Sequence, residues 1–414
     1  MSPAGSPGPL RYPPFRYLVA GRTVTMAGNA VAPIALAFAV LDLTGSMTDL
    51  GLVVGARSLT NVLFLLVGGV IADRLPRHRV MVGASLLAAG TQAVVAATVL
   101  SETASVPLLV GLSAANGVAG ALALPAASAL VPQTVPAQLL QRANAINRLC
   151  FNTAMIAGAS AGGLLVAAVG PGWGLAVDAA AFALAAVLFG LVRVADLDRP
   201  AGERQHVLAD LREGWTEFTS RTWLWVVVAG FSVINAAFAG GLNVLGPAMA
   251  DETIGRRAWG LVLAAETAGM VLGAAVALRL RLRRPLLVGV VCMLGDALFL
   301  LALGVTPVLG VLLAAALVAG VVVEQFTIAW DTTMQQQVPA EKLARVYSYD
   351  AVGSFLAIPL GQVVAGPVAE AVGVRAALAG AAGLVALAVL GMLASRDVRR
   401  LRPRPAPAAP AVAG

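Results

Sequence analysis

Twelve long apolar blocks constrain the fold of this chain more than any other feature of its 414 residues. Each block has the roughly 20 residues that an α-helix needs to cross the hydrocarbon layer of a bilayer, about 30 Å thick. Because lipid offers backbone groups no hydrogen-bond partner, each block is predicted to be a helix. Charged residues make up only 12% of the chain, about half of their share in soluble domains. The blocks lie near residues 16–41, 49–73, 79–101, 107–131, 142–169, 173–194, 222–249, 257–280, 285–304, 307–331, 342–371 and 374–395.

The basic residues orient these helices. If the N-terminus is cytoplasmic, the external segments contain only Arg256, Arg257 and Arg375, and Arg22 and Arg57 fall within helices. The rest of the 28 basic residues then face the cytoplasm, as the positive-inside rule requires. We therefore expect a multi-pass protein of the bacterial inner membrane with both termini cytoplasmic. The net charge of +7 suits an anionic leaflet and does not indicate nucleic-acid binding.

The second half of the chain repeats the first. Val135-Pro136-Ala137 recurs as Val338-Pro339-Ala340, and three later glycines of each unit align as well. The spacing is about half the chain, which predicts six helices duplicated in the same orientation, with a substrate site between the halves. We predict a disordered N-terminal segment at 1–15, a six-helix half at 16–194, a cytoplasmic linker at 195–221, a second six-helix half at 222–395 and a disordered tail at 396–414.

The loop after the second block carries a recognisable motif. It reads Gly69-Val70-Ile71-Ala72-Asp73-Arg74-Leu75-Pro76-Arg77-His78-Arg79. This resembles the signature loop of the major facilitator superfamily, in which a glycine precedes an acid–arginine pair and a basic cluster. Within that superfamily the chain looks most like bacterial macrolide-efflux and siderophore-export proteins. The supporting stretches are Leu43-Thr44-Gly45-Ser46, Asp178-Ala179 with Phe182, and Arg345-Val346 with Ser348-Tyr349-Asp350.

The resemblance implies both a fold and an activity. The fold is all-α, with twelve transmembrane helices in two pseudo-symmetric six-helix halves. The implied activity is proton-coupled export of a drug, siderophore or secondary metabolite by alternating access. Two departures weaken the case for efflux: the loop at Gly273–Arg284 has no acid, and the helix-5 motif, Gly158 to Gly163, lacks the proline usual in antiporters.

Two groups of residues are candidates for gating. Asp73 can latch one of two rocking states by capping a helix or pairing with a loop arginine, or it can belong to a static ion network with Arg74, Arg77 and Arg79. Small residues on blocks 5 and 11 permit close helix contact. That contact can be packing alone or can also seal the outer gate. These residues are Gly158, Gly162, Gly163, Gly361 and Gly366.

Ionisable and amide side chains inside spanning helices are candidates for proton or substrate contact, because burying them is costly unless they have a partner or face a cavity. Glu266 lies near mid-depth among small residues, and we expect it to be the main proton carrier. Asp178 and Asp296 fall on helices that lie outside the cavity in the family, and we interpret both as structural. For the other candidates a structural role stays open: Glu324, Asp350, Arg57, Asn29, Asn116, Asn152 and Asn235.

The sequence favours a transporter over an enzyme. His78 and His206 are the only histidines and lie among loop charges, and Lys342, the only lysine, is not part of a phosphate-binding loop. We expect no cofactor and no bound metal. The leading interpretation is a monomeric proton-coupled exporter of an amphipathic small molecule. An uptake symporter, or a polytopic sensor or scaffold that does not transport, remains an alternative.

Overall fold

The computed structural model describes residues 8–136, 139–194, 215–277, 279–280 and 283–402. Within its helices, several side chains lie outside the description. They are those of residues 65–74, 124–125, 128–129, 141, 144–145, 148, 335, 340–345 and 348.

Twelve long helical segments, α1 to α12, follow one another in the described residues, and no strand occurs there. Eleven of them contain a described stretch that is long and apolar enough to cross a membrane; the remaining one, α2, has 28 residues. The bounds are α1 Pro13–Thr44, α2 Met47–Arg74, α3 Arg77–Leu100, α4 Val106–Thr134, α5 Leu140–Val169, α6 Pro171–Gly190, α7 Thr222–Glu252, α8 Arg256–Ala277, α9 Pro285–Val305, α10 Leu309–Gln337, α11 Ala340–Val372 and α12 Val374–Ala394.

Three of these helices are interrupted. A π-helical turn at Gly241–Leu245 divides α7, and Met293 divides α9. The α11 segments Ala340–Phe355 and Ile358–Val372 are separated just before Pro359, where the proline ring removes a backbone donor and disfavours a continuous helix.

Two short helical segments fall within the terminal regions that the sequence predicted to be disordered. Pro9–Arg11 forms a 3₁₀ turn that leads into α1, and Arg396–Arg400 forms a short helix after α12. Each buries apolar surface: Pro9 of the first segment and Val398 of the second are buried. The predicted linker at 195–221 lies mostly outside the described residues, so the domain boundaries stay predictions.

The two halves pack by the same pattern. In the first, α1 contacts α5 and α6, α2 contacts α4, and α3 contacts α4 and α6. In the second, α7 contacts α11 and α12, α8 contacts α10, and α9 contacts α10 and α12. The turns also match: Gly170 before α6 and Gly373 before α12 have φ of 91° and 87°, a conformation open to glycine but strained for other residues. The predicted pseudo-symmetric architecture of two six-helix halves is confirmed.

The halves meet through a symmetric pair of contacts, α5 with α8 and α2 with α11. Both contacts lie at the same end of the molecule. That end carries the loop at residues 45–46 and the turns that follow α3, α5, α7, α9 and α11. Because the charge distribution predicts that these loops are external, we call this side the external face.

Candidate functional site

Close backbone contacts join the two halves near the external face. A Cβ atom built on Gly163 of α5 would come within 2.9 Å of Gly260 Cα on α8. On the symmetry-related interface, a Cβ atom on Gly366 of α11 would overlap the Met47 carbonyl oxygen of α2. Only residues without a side chain allow helices to approach this closely.

The other three glycines of the predicted set pack within their own halves. Gly158 and Gly162 of α5 lie against Ala27 and Val31 of α1, and Gly361 of α11 lies against the Ala236 carbonyl of α7. The predicted set thus divides into two glycines between the halves and three within them.

Two polar contacts reinforce the external junction. Arg256, at the start of α8, pairs with Asp42 at the end of α1 and with Asp251 of its own half, and its guanidinium lies 4.6 Å from the Phe38 ring centroid. The carboxylate of Glu370 on α11 accepts hydrogen bonds of 3.2 Å from Ser46 Oγ and from the backbone N–H of Thr48. Sequence reasoning missed both contacts, although Arg256 stood out as one of three external arginines.

A cavity of about 550 Å³ lies between the halves, and we call it the central cavity. Its walls come from α1, α2, α7, α8 and α11, and they are mostly apolar. The polar side chains among its lining are Arg57, Ser58, Asn61, Asn243 and Gln362. A largely apolar cavity with a few polar groups is typical of a small-molecule site.

A second cavity of about 180 Å³ lies within the first half, and we call it the N-half cavity. Arg57 lines both cavities, while Arg22, Asn29 and Asn116 line only the second. Arg57 Nη2 donates a hydrogen bond of 3.2 Å to Asn29 Oδ1. Arg57 and Asn29 therefore form one polar unit across α1 and α2, whereas the sequence analysis treated them as separate candidates.

A buried carboxylate lies behind this unit. Asp178 of α6 is fully buried and accepts a 2.5 Å hydrogen bond from Gln92 Nε2 of α3. Its Oδ1 has no described partner and lies 2.5 Å from the position that a Cβ atom on Gly28 would occupy. Asp178 also interacts electrostatically with Arg57. Sequence reasoning missed this pairing, because α6 was expected to lie away from any site.

The second half contains two neighbouring carboxylates. Asp296 of α9 is 2% exposed and interacts electrostatically with Glu266 of α8. Asp296 Oδ1 has no hydrogen-bond partner among the described atoms. Glu266 follows Trp259 and Leu263 at helical spacing, and both of these line the central cavity. Two carboxylates that interact in a low-dielectric region favour a state in which only one of them is ionised.

Several of the remaining candidates bond to neighbouring helices. Asp350 accepts hydrogen bonds from Trp330 Nε1 at 3.0 Å and from Ser354 Oγ at 3.1 Å. Asn235 donates to the Ser354 carbonyl at 2.9 Å, and Asn116 donates to Thr91 Oγ1 at 3.3 Å.

Glu324 and Asn152 differ in how deeply they are buried. Glu324 of α10 is 5% exposed and its Cβ packs against Gly273 of α8. Asn152 of α5 is partly exposed.

The signature loop joins α2 to α3. The surroundings of Gly69 and the side chains of Asp73 and Arg74 lie outside the description, so the predicted latch stays a prediction. Arg77 begins α3, and Arg79 is exposed on its first turn.

The paired six-helix halves with a cavity between them define a class of polytopic membrane transporters. The sequence model of the Major Facilitator Superfamily matches residues 18–357. The chain therefore belongs to this family of transporters and is a multi-pass membrane protein, as the sequence predicted.

Two curated relatives are bacterial exporters. Multidrug efflux pump Tap of Mycolicibacterium fortuitum is 28% identical over 384 residues, which cover 89% of this chain and 91% of Tap. Enterobactin exporter EntS of Escherichia coli O81 (strain ED1a) is 27% identical over 412 residues, which cover 95% of this chain and 94% of EntS.

Solved structures share the fold. A bacterial homolog to the human lysosomal transporter Spinster, in an inward-facing and unoccupied conformation, has a TM-score of 0.74 at 18% identity and covers 97% of this chain and 100% of that chain. The nucleoside transporter NupG has a TM-score of 0.76 at 14% identity, with 94% and 100% covered.

Proposed function

We propose that the chain is a proton-coupled exporter of amphipathic small molecules in the bacterial inner membrane, that both termini are cytoplasmic and that it works as a monomer. The observation that carries this proposal is the central cavity, which lies between two halves that are joined by close contacts at the external face. A cavity closed at one face and lined by both halves suits alternating access by rocking of the halves.

Coupling to protons is assigned to Glu266. Antiport needs a group that is neutral in one state and charged in another, and a carboxylate whose access to water changes between states meets this need. Glu266 lies one turn beyond Leu263, which lines the central cavity, although Glu266 is not itself one of the lining residues. Asp296, which is buried and interacts electrostatically with Glu266, is a neighbouring carboxylate that can share a proton with it.

The outward direction of transport rests on the relatives. Tap and EntS are both named for export, and each aligns with about nine-tenths of this chain or more. An apolar cavity with few fixed polar groups also suits a carrier that accepts several related molecules.

Everted membrane vesicles test this function. Vesicles containing the protein are energised with respiratory substrate, and their internal acidification is followed by quenching of 9-amino-6-chloro-2-methoxyacridine. Tetracycline, erythromycin and enterobactin are then added one at a time. For a proton-coupled exporter we expect at least one of them to release protons and to accumulate in the vesicles, and an uncoupler to abolish the accumulation.

Vesicles that contain the Glu266→Gln variant are the matched control. Uptake by intact cells that depends on the proton gradient would instead identify an uptake symporter. If none of the three probes crosses the membrane in either direction, the result would oppose transport of this substrate class.

A further inference from the structure

The central cavity and the N-half cavity are lined by basic side chains. Arg57 lines both cavities and Arg22 lines the N-half cavity, whereas no aspartate or glutamate occurs among the described lining residues of either. Asp178, behind the cavity wall, is the carboxylate that interacts electrostatically with Arg57. Among the described residues, Arg57 thus has one carboxylate partner, and Arg22 adds a second guanidinium group to the lining of the N-half cavity. An unbalanced charge in a low-dielectric region is costly, and a bound anion reduces that cost.

Arg57 has donors to spare for such an anion. It lies about 15 Å along α2 from Met47, at a rise of 1.5 Å per residue, and it is partly exposed to the cavities. A guanidinium group has five N–H donors in a fork that matches an acidic group. Among the described hydrogen bonds of Arg57, one donor is used, toward Asn29.

The second half places an unsatisfied acceptor in the same cavity. Gln362 of α11 lines the central cavity, is 4% exposed, and its Oε1 has no hydrogen-bond partner among the described atoms. Leaving a buried amide oxygen unpaired is unfavourable, because the oxygen loses its hydration without gaining a hydrogen bond. This oxygen is buried in the cavity wall, and a turn of the Gln362 side chain toward the cavity would let a hydroxyl or N–H group on a ligand satisfy it.

The remaining walls select against a bare inorganic ion. Ile34, Trp259, Leu263 and Phe355 contribute apolar surface around the cavity of about 550 Å³. A small hydrated anion would leave most of this surface in contact with water, whereas an apolar body would cover it. The charge, the unpaired amide and the apolar walls together describe one kind of ligand.

We propose that the central cavity binds amphipathic organic anions, with the acidic group at Arg57 of one half and a hydrogen-bond donor of the ligand at Gln362 of the other. This inference names the substrate class of the proposed exporter and so rests on that function. A ligand that contacts α2 and α11 together bridges the two halves, so its binding depends on their relative position.

A matched pair of probes tests the proposal. 8-Anilinonaphthalene-1-sulfonate and N-phenyl-1-naphthylamine share an aromatic body and an N–H group, but only the first carries a sulfonate. Binding to the purified full-length protein in nanodiscs is measured by titration calorimetry, and the signal of empty nanodiscs is subtracted. No proton gradient is needed, so failure of coupling and failure of anion binding are distinguishable.

For the wild-type protein we expect the sulfonate to bind at least tenfold more tightly than the neutral amine. Arg57→Gln should bind the sulfonate at least tenfold more weakly than the wild type does. Its affinity for the amine should change less than twofold, because the glutamine can still donate to Asn29. Arg57→Lys should keep most of the affinity, and Arg375→Gln, which removes an exposed arginine outside the cavities, should keep all of it.

Equal affinity of the wild type for the two probes would overturn the proposal without requiring any variant to fold. So would an Arg57→Gln protein that elutes as the wild type does and binds the sulfonate unchanged.

Discussion

Gly163 of α5 and Gly260 of α8 lie backbone against backbone, with no side chain between them, at the place where the two halves meet near the external face. The Gly260 position is equally tight from its own side, since a Cβ atom there would come within 2.6 Å of the Ala159 carbonyl oxygen. A close contact of this kind can form only when the external face is closed, so it stabilises one state of the transport cycle.

Gly163→Leu should therefore open the external face. Overpacking a close contact costs about 1–3 kcal/mol, so the ratio of closed to open molecules should fall about tenfold. Spin labels at Val169→Cys and Glu252→Cys, with Cys150 and Cys292 replaced by serine, should show a longer distance distribution. Gly90→Leu is the control, because a Cβ atom there meets nothing within 4 Å. An unchanged distribution in the Gly163 variant would mean that this contact does not hold the face closed.

Asp42→Asn should weaken the same closure to a smaller extent. The Arg256–Asp42 pair joins the two halves but is partly exposed, with the side chains 22% and 42% accessible. Exposed ion pairs contribute about 0.2–1 kcal/mol, so we expect a shift of at most about fivefold, reduced further by salt. Asp251→Asn removes the pairing of Arg256 within its own half and should leave the distance between the labels unchanged. Equal effects of the two substitutions would argue against a role of the inter-half pair.

Glu266→Gln should abolish accumulation driven by the proton gradient, because the amide neither binds nor releases a proton. Exchange of labelled for unlabelled substrate without a gradient should persist. Asp296→Asn should reduce the pH dependence of transport, since it removes the carboxylate that interacts with Glu266. Glu102→Gln, in an exposed loop, serves as the control. If the Glu266→Gln protein still concentrates substrate when a proton gradient is applied, the proton carrier is another acid, and Glu324 is the next to test.

Cysteine labelling tests the orientation in the membrane. In the variant without native cysteines, Asp251→Cys should react with a membrane-impermeant maleimide added to intact cells, because Asp251 is exposed on the predicted external face. Ala209→Cys, in the predicted cytoplasmic linker, should react only after the cells are permeabilised. The reverse labelling pattern would mean that the topology is inverted, so that most of the basic residues lie outside.

The sequence alone predicted the twelve helices and the duplication of the halves. Both depend on local properties: the length of apolar stretches compared with the bilayer, and the recurrence of short motifs such as Val135-Pro136-Ala137. The same locality explains the match in backbone conformation at Gly170 and Gly373, where each turn needs a residue without a side chain. The interruption of α11 before Pro359 is also visible in the sequence once that block is known to be a helix.

Only the tertiary structure showed which side chains meet. Asp178 and Asp296 were expected to be structural residues away from the cavity, and neither lines it. The sequence could not show that Asp178 interacts with Arg57 and Asp296 with Glu266. Depth along a helix can be counted in the sequence, but the rotation of each helix about its axis is set by packing among all of its neighbours. That rotation directs Arg57 toward both cavities and Asp42 toward Arg256, and no local pattern in a uniformly apolar helix specifies it.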